Sequence, residues 1–70
     1  MEIEKHLSVT SSSTTSWKHA ITTAIEEASK SIDYLTNVEI IRQYASISGN
    51  KMETYFVDLD ISFTIDPSRI

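Results

Sequence analysis

The last third of the chain alternates along its length: Tyr55, Val57, Leu59, Ile61, Phe63 and Ile65 are apolar, with Thr54, Asp58, Asp60, Ser62 and Thr64 between them. Successive side chains of an extended chain point to opposite sides, so a period of two marks a strand with one buried face. A face that long needs a cover over its whole length. A chain of 70 residues has little else to supply one, so the pattern already points beyond a single molecule.

Size sharpens the argument. One domain over residues 1–70 buries a low fraction of its surface and is marginal unless disulfides, a metal or partner chains staple it. The chain has no cysteine, which removes disulfides, thiolate metal sites and cysteine nucleophiles together. Oligomerisation is the staple that remains. A formal net charge of -4 with six scattered basic residues argues against nucleic acid or an anionic membrane as partner, since both require clustered Lys and Arg. The acidic start Met1-Glu2-Ile3-Glu4 is unlike a signal peptide, and no apolar stretch could span a bilayer, so a soluble cytoplasmic protein is expected.

Ile3, Lys5, Leu7 and Val9 alternate with Glu2, Glu4, His6 and Ser8, which predicts a short first strand. The hydroxyl-rich run from Thr10 to Ser16 reads as a turn, with Ser13 capping the next helix by accepting from the N–H of Thr15 or Ser16. Trp17, Ala20, Ile21, Ala24, Ile25, Ala28 and Ile32 then form the apolar stripe of an amphipathic helix of four to five turns. A second strand is expected from Tyr34 to Ile47, and Gly49-Asn50 is a two-residue hairpin turn into the third. The order is β-α-β-β: an α+β fold with a three-stranded antiparallel sheet packed on one helix.

With Gly49 and Asn50 as turn residues, Ser48 pairs with Lys51, Ile40 with Leu59 and Arg42 with Val57. One face then holds Val38, Ile40, Val57, Leu59 and Ile61. The other gathers Asn37, Glu39, Ile41 and Gln43 with Phe56, Asp58 and Asp60, an odd mixture for a face left in water. A strand of about 14 residues extends roughly 46 Å, while a helix of about 17 residues spans only about 26 Å. The helix cannot cover the hairpin, and the overhang, with Tyr44, Ile47, Met52 and Tyr55, is expected to be covered by other copies of the chain.

Several of these segments together resemble one family. Ser13-Thr14-Thr15-Ser16-Trp17 at the helix start, Ala28-Ser29-Lys30 near its end, Val38-Glu39-Ile40, Ser48-Gly49-Asn50-Lys51, and the third strand through Ile61-Ser62-Phe63 are similar to the dodecins. The resemblance implies a βαββ subunit of a hollow homododecamer, non-enzymatic, that binds a small ligand, with riboflavin or FMN as the family's usual flavin. It places Asn37 where flavin-binding members carry a stacking Trp, Phe56 where they carry a hydrogen-bonding Gln, and Tyr44 at a position often held by Arg. An amide offers far less contact area than an indole, so flavin binding is expected to be weakened. The calcium-binding dodecins also lack that Trp and open the helix with a Ser-Trp pair, as Ser16-Trp17 does here.

Asp58 and Asp60 are the candidate metal ligands. They alternate onto one face about 7 Å apart, and an all-oxygen set, with Ser62 or Glu39 completing it, suits a hard cation such as Ca²⁺. The competing account is that both are solvated or ion-paired. Trp17 falls on the apolar stripe and reads as core; His6 and His19 lack ligand spacing; and the serine run has neither a glycine-rich loop nor a paired histidine, so no catalytic residue is expected. Tyr44, Tyr55 and Phe56 read first as packing residues between subunits. The expected partners are further copies of the chain and a small molecule. The expected function is a ligand-binding, storing or buffering shell; a calcium-binding or purely structural assembly is the alternative.

Overall fold

The computed structural model describes residues 3–32 and 34–65 and contains β1 (Ile3–Ser13), α1 (Trp17–Ser29), β2 (Leu35–Ser48) and β3 (Lys51–Ile65). The strands form one antiparallel sheet in the order β1-β3-β2, so the most regular apolar alternation lies in the central strand. Val57, Leu59 and Ile61 from that strand, with Ala20 from the helix, are the buried apolar core of the described residues. Val9, Trp17, Ile21, Ala24, Ala28 and Leu35 pack around them. Ala20 lets the helix backbone approach the sheet closely, and Ser11 Oγ donates to the Ala20 carbonyl at 2.8 Å, tying β1 to the helix.

The serine run is strand where a turn was expected. β1 continues through Ser11, Ser12 and Ser13, which pair with Val57, Phe56 and Tyr55. Its polar side chains suit an edge strand because the ladder is made by the backbone, and hydroxyls on an edge remain solvated or bond locally. Ser13 Oγ does accept from the Thr15 N–H at 2.9 Å, as expected, but the helix N-cap is Ser16, which accepts from the His19 N–H at 3.0 Å. The helix has 13 residues, about 20 Å, and is shorter than the sequence pattern implied. Ile32 continues the stripe beyond it through an N–H bond to the Ala28 carbonyl at 3.1 Å.

The hairpin turn is as expected. Gly49 and Asn50 have φ of 58° and 65°, the left-handed pair that matches the twist of a two-residue hairpin. Ser48 faces Lys51 and Ile40 faces Leu59, but Arg42 faces Asp58 and not Val57, whose partner is Gln43. Two irregularities account for this. Near the turn, Ser46 pairs with Thr54 and Ile47 with Met52, leaving Glu53 extra on β3; further along, Ile41 is extra on β2. They cancel from Ile40 back to Asn37 and shift everything between them by one residue, which turns side chains to the opposite face; a third irregularity leaves Thr36 extra between Leu35 and Asn37. Gln43 therefore lies on the helix side, while Arg42 and Tyr44 join Asp58 and Phe56 on the far side.

The molecule is 54 Å long, so a helix of about 20 Å leaves much of the sheet uncovered. The helix rests on β1 and β3; on β2, Val38 and Ile40 are exposed although they face the helix side. Ile47 and Met52 share that face near the turn and are 71% and 51% exposed. Tyr55, expected to be bare, is half-buried because Trp17 packs against it as a T-shaped pair at 4.9 Å.

Candidate functional site

The far face of the sheet carries three polar or aromatic groupings in a row. Nearest the start of β1, His6 sits opposite Ser62, with its Nδ1 2.7 Å from Asp60 Oδ2 and its Nε2 3.4 Å from Glu4 Oε1. Ser62 Oγ lies 3.3 Å from the same Nδ1, and Glu39 faces Asp60 from β2. One step along β3, Asp58 accepts from Thr10 Oγ1 at 2.9 Å and from Arg42 Nε at 3.2 Å. A further step places Phe56 flat against Tyr44, with centroids 5.0 Å apart and planes 10° from parallel, and the Arg42 guanidinium 4.5 Å from the Tyr44 centroid. Stacked aromatics and a cation over a ring each add attraction beyond area burial.

The candidate metal ligands Asp58 and Asp60 thus share one face, as the alternation implied, and each is partnered within the chain by a basic side chain. Their oxygens, with the Thr10 hydroxyl, fit a hard cation in chemistry, but Arg42 and His6 compete for the same lone pairs. Among the described residues, no three His, Cys, Asp or Glu side chains are grouped as a metal site. A shallow depression of about 280 Å³ adjoins Asp58, lined also by Ser8, Val9, Thr10, Ile41 and Leu59. The two candidate flavin residues lie on this face but far apart. Asn37 faces Ser62 and Phe56 faces Tyr44, six residues along β3, roughly 20 Å. One chain cannot bring both to one small ligand. Phe56 already uses one ring face on Tyr44, whereas Asn37 is exposed.

Three features of this face were not read from the sequence: the His6 grouping, the Arg42–Asp58 pair and the Tyr44–Phe56 stack. The last two depend on the shifted register. The first needed only the pairing of β1 with β3, which the alternation of both strands could have suggested. His19, on the helix, has a local role, with its Nδ1 2.8 Å from Ser13 Oγ.

The hydrogen bond to Asp60 and then its negative charge raise the pKa of His6 above the ordinary 6.5, with Glu4 and Glu39 adding to the effect. A group with a raised folded-state pKa contributes stability that is fully present below its unfolded value and is lost as pH rises through the folded one. An NMR titration of His6 is expected to show a midpoint above that of free histidine, and Asp60→Asn should bring it back down. A midpoint at or below the ordinary value would show that the His6–Asp60 pair does not persist in solution.

A single helix laid over one side of a long antiparallel sheet, in the order β-α-β-β, defines a small sheet-and-helix module whose apolar face outruns its own cover. The family model described as Dodecin matches residues 3–66, and the chain belongs to the dodecin family. It is 28% identical over 69 residues to the calcium dodecin of Mycobacterium tuberculosis, spanning 99% of this chain and 97% of that protein. The crystal structure of that calcium-chelating antigen, described as having a novel calcium-binding site, superposes with a TM-score of 0.79 at 29% identity over 94% of each chain. The R45A mutant of the Thermus thermophilus dodecin superposes with a TM-score of 0.87 over 94% of this chain and 98% of that one; at 21% identity it speaks for the fold. The dodecin family includes flavin-binding and calcium-binding members. No helix among the described residues is long and apolar enough to cross a membrane.

Proposed function

We propose that this chain is the non-enzymatic subunit of a cytoplasmic homododecameric shell that binds and buffers a small ligand on the sheet face bearing Asn37, Phe56, Asp58 and Asp60. The observation that carries the reading is the uncovered helix-side face of β2 and the hairpin, with Val38, Ile40, Ile47 and Met52 all exposed. Leaving that face in water exposes more contiguous apolar surface than a soluble monomer usually tolerates. Family membership supplies the number twelve and the ligand-binding role.

Flavin is the family's usual ligand. In a shell, Asn37 of one copy and Phe56 of another could line one pocket, since a single chain holds them apart. The second reading is calcium, supported by the full-length likeness to a calcium dodecin and by the two adjacent carboxylates. When bound, a calcium ion would relieve the repulsion among the acids that symmetry brings together. Asp58 and Asp60 would hold it, after Arg42 and His6 give way.

Native mass spectrometry is expected to give the mass of twelve 7.9 kDa chains, and a compact monomer would overturn the reading. On that assembly, calorimetry with riboflavin should show weak binding that Asn37→Trp with Phe56→Gln strengthens several-fold, as stacking worth about 0.5–1.5 kcal/mol implies. Millimolar Ca²⁺ should raise the thermal midpoint by binding only the assembled state, and Asp58→Asn with Asp60→Asn should abolish that response. Tight riboflavin binding by the native chain would overturn the expected loss at these two positions. A calcium response that survives the double change would place the metal elsewhere.

A further inference from the structure

One flank of the chain is concave and apolar, and the other projects. Between β1 and the helix runs a cleft of about 420 Å³ lined by Leu7, Val9, Ala24, Ala28 and Ile32, with Glu27 on its rim. On the far side of the sheet order, the β2–β3 hairpin extends past the helix and presents Ile47 and Met52 on the helix-side face, with Lys51 exposed next to Met52. Cleft and hairpin belong to opposite edges of the sheet, β1 and β2, so a chain cannot fill its own cleft with its own hairpin.

Resting on the oligomeric reading above, we infer that the hairpin of one copy seats Ile47 and Met52 in the β1–α1 cleft of the next, with Lys51 beside the Glu27 rim. The occupant is a second copy, and the surface area supports it. A monomer of this mass exposes about 4,400 Å² by the usual size scaling, while this chain exposes 5120 Å². The excess is close to the share of about 800 Å² that each partner contributes to a standard interface. Charge agrees as well. The hairpin offers Lys51 at the turn and Glu53 just behind Met52, and the helix edge of the cleft offers Glu27 and Lys30, paired with each other in the free chain, so the two surfaces can exchange opposite charges. The two surfaces differ, so the contact is either passed head-to-tail from copy to copy or exchanged reciprocally between two copies about a two-fold axis.

Complementation tests this directly. Ile47→Asp ruins the hairpin and Leu7→Lys ruins the cleft, and both sites are exposed within the chain, at 71% and 37%, so each variant retains its own core. Circular dichroism checks that, and Met52→Asp and Thr23→Lys serve as second variants at the two surfaces. Each variant alone should lose the native mass. Co-expressed with different tags, a hairpin variant and a cleft variant should copurify, because an intact hairpin on one meets an intact cleft on the other. Loss of assembly in each without copurification would overturn the hairpin-in-cleft contact while leaving the shell itself intact as a reading. Normal assembly of either variant would overturn it too. A native chain that is monomeric would sink the oligomeric reading first.

Discussion

Replacing Leu59 by alanine is expected to cost about 2–5 kcal/mol, the usual penalty for emptying a fully buried leucine site. Leu59 is 1% exposed and stands at the centre of the central strand, between Val9 on β1 and Ile40 on β2. Few other residues can close over the gap, because the buried apolar core of the described residues is only Ala20, Val57, Leu59 and Ile61. A 70-residue domain holds roughly 4–10 kcal/mol in all, so the change removes a large fraction of it. Urea melts at one fixed chain concentration, followed by circular dichroism, should show the midpoint fall by a third or more. Concentration has to be held because assembly contributes to the apparent stability. A loss under about 1 kcal/mol would mean that contacts between copies, and not this small core, hold the sheet together.

How much could be read in advance follows from where the physics is local. The alternation of β3 specified a strand, its buried face and its need for a cover, since period and burial are linked through side-chain direction alone. Gly49-Asn50 specified the turn for the same reason, as both residues tolerate positive φ. The helix stripe was legible, though its length was overstated, because the apolar period runs on through Ile32 after the regular helix has ended. The serine run misled. Hydroxyl residues favour turns when taken singly, yet here pairing with an apolar central strand overrides that preference.

The site was legible only in part, and the reason is the pair of bulges. An extra residue on each strand restores the register at Ile40 and Leu59 while reversing the residues between. No local signal announces it: Ile41 is β-branched and apolar, a good strand residue, and nothing marks it as the one left unpaired. The consequence is chemical. With the shift, Arg42 reaches Asp58 and Tyr44 lies on Phe56; without it, both would have pointed toward the helix side. That Asn37, Phe56, Asp58 and Asp60 share a face followed from alternation, because the first pairs beyond the bulges are in step again. Their spacing along the strand shows that a single chain offers a row of separate groupings, which only neighbouring copies could combine.

Trp17→Ala is expected to cost about 2–4 kcal/mol, somewhat less than emptying a fully buried tryptophan site because Trp17 is only partly buried, and for a different reason from Leu59→Ala. Trp17 is the first residue of the helix, and it joins the helix to both strands of the hairpin. Its indole N–H donates to the Tyr44 carbonyl at 3.0 Å, and its ring and that of Tyr55 form a T-shaped pair at an interplanar angle of 77°. The helix otherwise rests on β1 and β3, so this bond is a rare direct link from the helix to β2. Trp17→Phe should separate the two contributions. It keeps most of the ring contact with Tyr55 but leaves the Tyr44 carbonyl without its donor, which should cost about 1 kcal/mol. Urea melts followed by circular dichroism check the ranking, since the native chain's only tryptophan is removed in both variants. The result that would overturn this placement is a Trp17→Ala chain of near-native stability and mass that no longer binds its ligand. In that case the indole would be a stacking surface for the ligand, and the geometry joining it to Tyr44 and Tyr55 would be incidental to the fold.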